Sequence, residues 1–213
     1  MTASATTRAE ATHVLDLLSA RLGAGGGHAE LRWHANTSSQ LTMRKGVLLE
    51  NRRSRGSGVS ARVFQNGLYG FAALPREDGE AMAAVLADAR RNAGVNRRHA
   101  GEAKGLVSSK IANAIHLAPV TVGPIAWNDR IELLKQVDAQ ARRKYPDLID
   151  LTLSLANNGS AKAVATGEGA RCYSDVTRSV FSARLSLQSG EGDRKSTRLN
   201  SSHVSESRMP SSA

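Results

Sequence analysis

Hydrophobic and polar positions alternate along this chain in two periods, and the period changes at short breaks. Val14, Leu15, Leu17, Leu18 and Leu22 share one broad face at helical spacing, and Gly23 followed by Gly25, Gly26 and Gly27 supplies residues that stop a helix. Ala29, Leu31, Trp33 and Ala35 then alternate with Glu30, Arg32 and His34, the period of two expected of a strand with one buried face. Leu41 and Met43 continue it, Lys45-Gly46 reads as a tight turn, and Val47 to Leu49 begins a return strand. Val59, Ala61 and Val63 lead through Asn66-Gly67 to Leu68, Tyr69 and Phe71; Asn-Gly tolerates the positive φ angles of a type I′ turn, so a hairpin is predicted. Past Pro75, Ala81 to Ala93 predicts a helix with Met82, Val85, Leu86 and Ala89 on its apolar face, ended by Gly94.

The stretch Val95 to Ile125 is less regular and reads as a linker, with Pro119 and Pro124 forbidding a continuous helix in its second half. Asn128 is placed to cap a helix whose stripe is Ile131, Leu134, Val137, Ala141 and Tyr145, stopped by Pro146. Leu151, Leu153 and Leu155 alternate up to a turn at Asn157-Asn158-Gly159. Ala161 to Ala165 returns to Gly167-Glu168-Gly169, and Phe181, Ala183, Leu185 and Leu187 mark one further face. The fold class is therefore α+β: an α/β domain with antiparallel hairpins and flanking helices over residues 1–118, then a central helix and the start of a β-rich domain over residues 119–192.

Composition narrows the classes. With 213 residues, 40% of them apolar, the chain can build a core without staples, and its single cysteine, Cys172, excludes both an internal disulfide and a clustered-cysteine metal site. A reducing, cytoplasmic compartment follows as the expectation, and no membrane span or leader pattern is present. Residues 193–213 stand apart. Asp193 to His203 reads as the translation of a common sequencing-library adapter in one frame, and Arg208 to Ala213 continues it past an index position at Val204 to Ser207. On this reading the segment is a scar, the preceding chain is interrupted near Gly192, and its last strand leaves a sheet edge open. The scar holds four basic and two acidic residues, so the remaining 192 carry +8 of the chain's +10.

The order of elements resembles a family. Gly27-His28-Ala29-Glu30-Leu31-Arg32 through Leu41-Thr42-Met43-Arg44-Lys45-Gly46-Val47-Leu48, and above all Ser57 to Ala73 with its Asn66-Gly67 turn and a closely packed Gly70, resemble the TldD/PmbA family, the modulator-of-gyrase metallopeptidases. The Leu117-Ala118-Pro119 exit, the helix around Ile131 to Lys135 and the Thr166-Gly167-Glu168-Gly169 turn are similar to that family's central region. The resemblance implies a zinc-dependent protease of linear or unfolded peptides, working in a closed chamber of two homologous subunits, as homo- or heterodimer. It also implies that the zinc lies on a later helix of pattern H-E-x-x-x-H, with a further cysteine ligand. None of His13, His28, His34, His99, His116 and His203 is followed by Glu or has a histidine three to five positions away. No catalytic, cofactor-binding or metal residue is therefore assigned to this chain, and zinc is expected only in a catalytic full-length parent.

Cys172 lacks a nearby His or second Cys and reads as a strand thiol. His34 falls on the face opposite Leu31 and Trp33 and reads as solvated. Gly23 to Gly27 follows a helix and precedes a strand, the reverse of a phosphate loop. Arg52, Arg53 and Arg55, read as one loop, and Arg90, Arg91, Arg97 and Arg98, after the Ala-rich helix, are the basis for an alternative, a nucleic-acid-binding module. Trp33, Tyr69 and Phe71 read as core or strand residues not interleaved with those arginines, which argues against it. A non-enzymatic dimerisation module is a third reading.

Overall fold

The structure is a computed structural model that describes residues 6–23, 28–65, 67–96, 111–118, 125–188 and 194–203, the last of these as backbone. Helix α1 (Arg8–Leu22) is started by a capping box: Glu10 N–H donates to Thr7 Oγ1 at 3.2 Å, and Thr7 N–H donates to Glu10 Oε2 at 2.7 Å. Gly23 ends it at φ 61°. Strands β1 (His28–Arg44), β2 (Val47–Gln65) and β3 (Leu68–Leu74) form an antiparallel meander, followed by α2 (Gly79–Asn96), β4 (Asn113–Leu117), α3 (Trp127–Lys144), β5 (Leu148–Thr166), β6 (Arg171–Gln188) and β7 (Arg194–His203). The β1–β2 turn has Lys45 at φ 50° and Gly46 at φ 75°, both positive as a type I′ turn requires. At the β2–β3 turn Gly67 has φ 80° and Gln65 faces Leu68, a two-residue connection; Asn66 lies outside the described residues.

One sheet runs through the fold in the order β3-β2-β1-β5-β6-β4, with β7 also on β6. Among the described residues all pairings are antiparallel except β4 on β6, so the class is α+β. Because side chains alternate across a strand, the odd-numbered residues of β1 and of β5 each share one face along their whole length. At one end of that face Leu31, Ala163 and Ala165 pack with Leu18 of α1 and Val85 of α2. At the other end Leu41, Met43, Leu151 and Leu153 pack with Leu134 of α3. The helices thus cover two ends of the same face, with a polar band between them that no described helix core covers.

Gly70 shows how close this packing is. A Cβ built on it would lie 1.9 Å from Ala89 O and 2.4 Å from Ala93 N, so α2 sits directly on the β3 backbone, as the close packing predicted for Gly70 requires. The entry to α2 is fixed by Asp78, whose Oδ1 accepts from Ala81 N–H at 2.9 Å. That backbone bond, more than the neighbouring Arg76, holds the Asp78 carboxyl below the usual aspartate range. A lowered folded-state value means the cap contributes at pH above the ordinary aspartate range and is lost as pH falls through the lowered value. Ala81 amide exchange should therefore accelerate at acid pH. Asp78→Asn, which keeps an acceptor, should retain the helix while flattening that dependence; an unchanged acid response in the variant would rule out Asp78 as its source.

The structure departs from the pattern-based reading in the middle of the strands. Arg52, Arg53 and Arg55 are not in a loop: they lie inside the 19-residue β2, opposite Gln40, Ser39 and Thr37 of β1. Asn157-Asn158-Gly159 is not a turn either. It continues β5 between β1 and β6, with Gly159 facing Thr37 on one side and Thr177 on the other. Backbone ladders on both sides of a central strand outweigh the local turn preference of these residues. Gly159 has a packing reason as well, since a Cβ there would meet Thr37 Oγ1 at 2.5 Å.

Smaller corrections follow the same logic. Within the span read as a linker, Asn113–Leu117 forms β4 on β6, while residues 97–110 and 119–124, with Arg97, Arg98, His99, Pro119 and Pro124, lie outside the described residues, as do Gly25 to Gly27. Asn128 does not cap α3: the N-cap is Ala126, without a side-chain bond, and Asn128 is in the first turn. α2 continues through Gly94 to Asn96. The edge of β6 expected to be open is paired, by β4 at Arg171–Asp175 and by β7 at Ser179–Gln188. Such pairing is made by backbone groups, so a free strand edge accepts an extended segment whatever side chains it carries. Finally, β1 of the first block lies beside β5 of the second, so one sheet spans both.

Candidate functional site

The band on the helix-bearing face is polar by sequence: register places Arg53, Ser39, Asn157 and Ser179 in one row across four strands. The first turn of α3 overhangs this row. The Arg53 guanidinium carbon lies 3.7 Å from the centroid of the Trp127 ring, and that of Arg130 lies 5.7 Å from it. The indole is held in place, because Trp127 Nε1–H donates to Asn51 Oδ1 at 3.1 Å. Arg130 is held as well: its Nε–H donates to Ile125 O at 3.1 Å, and Asn157, with its amide oriented to its neighbours, accepts from Arg130 and donates to Ser179 Oγ at 2.6 Å. Burial first, and then the charge of Arg53, hold the Arg130 guanidinium below the usual arginine range. Nothing local in the sequence joins Arg53 to Trp127, so pattern reasoning missed the site. The only advance signal was an arginine cluster that did not fit a buried alternation.

On the opposite, helix-free face the sheet has a shallow hollow of about 470 Å³, lined among others by Ser54, Gly56, Ser160, Lys162 and Arg178. It offers hydroxyls and two cations. Of the other residues weighed from the sequence, His34 is exposed on the helix-free face as expected. Cys172 is a free thiol on β6 whose Sγ–H donates to Ala112 O at 3.4 Å. Tyr69 and Phe71 are strand residues, but they leave the core: they are 45% and 59% exposed, on the face away from α2. Trp33 is half-buried, stacks on Tyr173 at 6.3 Å and donates Nε1–H to Glu77 at 2.9 Å. Arg90 and Arg91 lie in α2, and Arg91 is paired with Asp88 at 2.6 Å.

The described residues do not form a zinc centre. Among the described residues no three His, Cys, Asp or Glu side chains converge closely enough to hold a metal ion. His28 Nδ1 is 2.6 Å from Glu168 Oε1, a pair without a third donor. Among the described residues the buried carboxylates Glu30 and Asp138 are answered by arginines: Glu30 by Arg32 and by Arg62 at 3.1 Å, and Asp138 by Arg142 at 2.8 and 3.1 Å. These are structural pairs, since each carboxylate's lone pairs are spent on guanidinium donors. Among the described residues no helix is long and apolar enough to cross a membrane.

Comparison with known proteins agrees with the architecture. No curated protein sequence matches the chain. The fold is similar to that of a proposed modulator of DNA gyrase from Bacteroides thetaiotaomicron (TM-score 0.64, 15% identity, covering 92% of this chain and 45% of that one). It is similar also to a proposed modulator of DNA gyrase from Thermotoga maritima (TM-score 0.65, 14% identity, 90% and 42%) and to TldE from Thermococcus kodakarensis (TM-score 0.66, 11% identity, 90% and 42%). The chain thus spans less than half the length of each of these structures. Residues 29–93, which run from β1 through the Gly70 contact into α2, match the family model of PmbA/TldA metallopeptidase domain 1. Residues 29–93 thus match the first domain of the PmbA/TldA metallopeptidases, and the fold is similar to that of these modulator-of-DNA-gyrase and TldE structures.

Proposed function

We propose that this chain is the N-terminal, non-catalytic part of a zinc-dependent TldD/PmbA-type metallopeptidase that cleaves linear or unfolded peptides in the cytoplasm. On this reading it helps to build a chamber shared with a homologous subunit, in a homo- or heterodimer, and the zinc ligands belong to a part of the parent not represented here. The observation that carries the reading is the family match itself: it falls on the first domain, over residues 29–93, while the described donors form no metal centre. The arginines weighed for nucleic-acid binding lend that alternative little support, because Arg52 pairs with Glu50 at 3.7 Å, Arg55 with Glu77 at 4.0 Å and Arg91 with Asp88.

The test is a zinc titration and a peptide-cleavage assay on the chain as it stands. Both should be blank. Stoichiometric tight zinc together with turnover would place the chemistry within these residues and overturn the proposal.

A further inference from the structure

We infer that Arg53 and Arg130, braced on Trp127, receive a single carboxylate of an extended peptide lying along the free edge of β2. Two guanidiniums held beside one ring repel each other, and such an arrangement is stabilised by an anion between them. The chain itself supplies none: among the described residues neither has a carboxylate within 4.0 Å, whereas their neighbours Arg52 and Arg55 do. Arg53 is also exposed, so a ligand can reach it.

The edge argument is independent of the charges. β1 pairs with β2 along its full length, but β3 pairs with it only from Val59 to Gln65. From Val47 to Gly58 the outer edge of β2 has no strand partner among the described residues. Its backbone donors and acceptors are available to an added strand, the usual way an extended peptide is recognised. Arg53 lies in that segment, so backbone pairing and carboxylate capture fall within reach of one ligand. With Arg52 and Arg55 already paired, the edge presents one anion site and not a run of cations that would follow a phosphate backbone. Arg53 also occupies the Trp127 face where a base would stack. The choice of a peptide as the source of the carboxylate rests on the peptidase reading.

The test uses the full chain and acetylated tri-alanine with a free C-terminal carboxylate, against its C-terminal amide and inorganic phosphate at matched ionic strength. The readout is the Trp127 indole N–H resonance, assigned by its loss in Trp127→Phe. The acid peptide should shift it saturably and the amide should not. Arg53→Gln or Arg130→Gln should weaken the acid peptide by roughly tenfold or more, the scale of a hydrogen bond to a charged group. Equal response to acid and amide, saturation by phosphate alone, or unchanged affinity in the folded variants would overturn the inference. Should a variant not fold, the acid-against-amide comparison on the native chain still decides. Failure here leaves the blank cleavage assay standing, and turnover in that assay would refute the peptidase reading whether or not the carboxylate binds.

Discussion

Gly70→Ala is expected to be among the most damaging single-methyl additions possible in this protein. The new carbon would lie 1.9 Å from Ala89 O, 2.4 Å from Ala93 N and 2.9 Å from Ala93 Cβ, and the first two are backbone atoms that no rotamer change can move. Relief requires lifting α2 off β3, which would open the contacts of Val85, Leu86 and Ala89 with the core. Overpacking costs typically about 1–3 kcal/mol, and a backbone clash belongs at or above the top of that range. The control lies in the same helix: a Cβ at Gly94 meets nothing within 4 Å, so Gly94→Ala should stabilise by roughly 0.5–1 kcal/mol through helix propensity. Urea unfolding of both variants checks this. A Gly70→Ala protein as stable as the parent would mean that α2 does not sit on β3 as described.

Leu31→Ala and Leu153→Ala should each cost about 2–5 kcal/mol, because both side chains are fully buried and neither site can collapse freely within a sheet. They belong to different cores, Leu31 under α1 and α2 and Leu153 under α3. Even so, each variant should shift a single unfolding transition. β1 contributes Leu31 to one core and Leu41 and Met43 to the other, and β5 likewise contributes Ala163 and Ala165 to one and Leu151 and Leu153 to the other. Neither core can be lost without fraying strands the other needs. Two transitions, of which each variant moves only one, would show that the blocks 1–118 and 119–192 unfold as separate units.

The N-terminal elements were readable because their signals are local. The helical stripe of α1, the Lys45-Gly46 turn with both φ angles positive, and the glycine at position 70 each act within a few residues or across one hairpin. Where pattern reasoning failed, the chain was locally ambiguous. Asn51 to Gly58 and Asn157 to Gly159 have the composition of loops, yet both are strand, because the same polar residues are paired through their backbones to β1. The candidate site depends on the same ambiguous stretch: only with Arg53 inside β2 does an indole from α3 lie 3.7 Å from its guanidinium carbon.

By itself, then, the sequence determined the helices with their apolar faces, the alternating ends of the strands and the two glycine turns, since alternation and turn chemistry are written within a few residues. Only the tertiary structure decided that β1 and β5 are neighbours, that α1, α2 and α3 share one face of the sheet, and that Arg53, Trp127 and Arg130 meet over the polar band between them. Strand pairing is made by backbone groups that every residue carries, so the choice of partner is settled by the whole set of cores and ladders formed together.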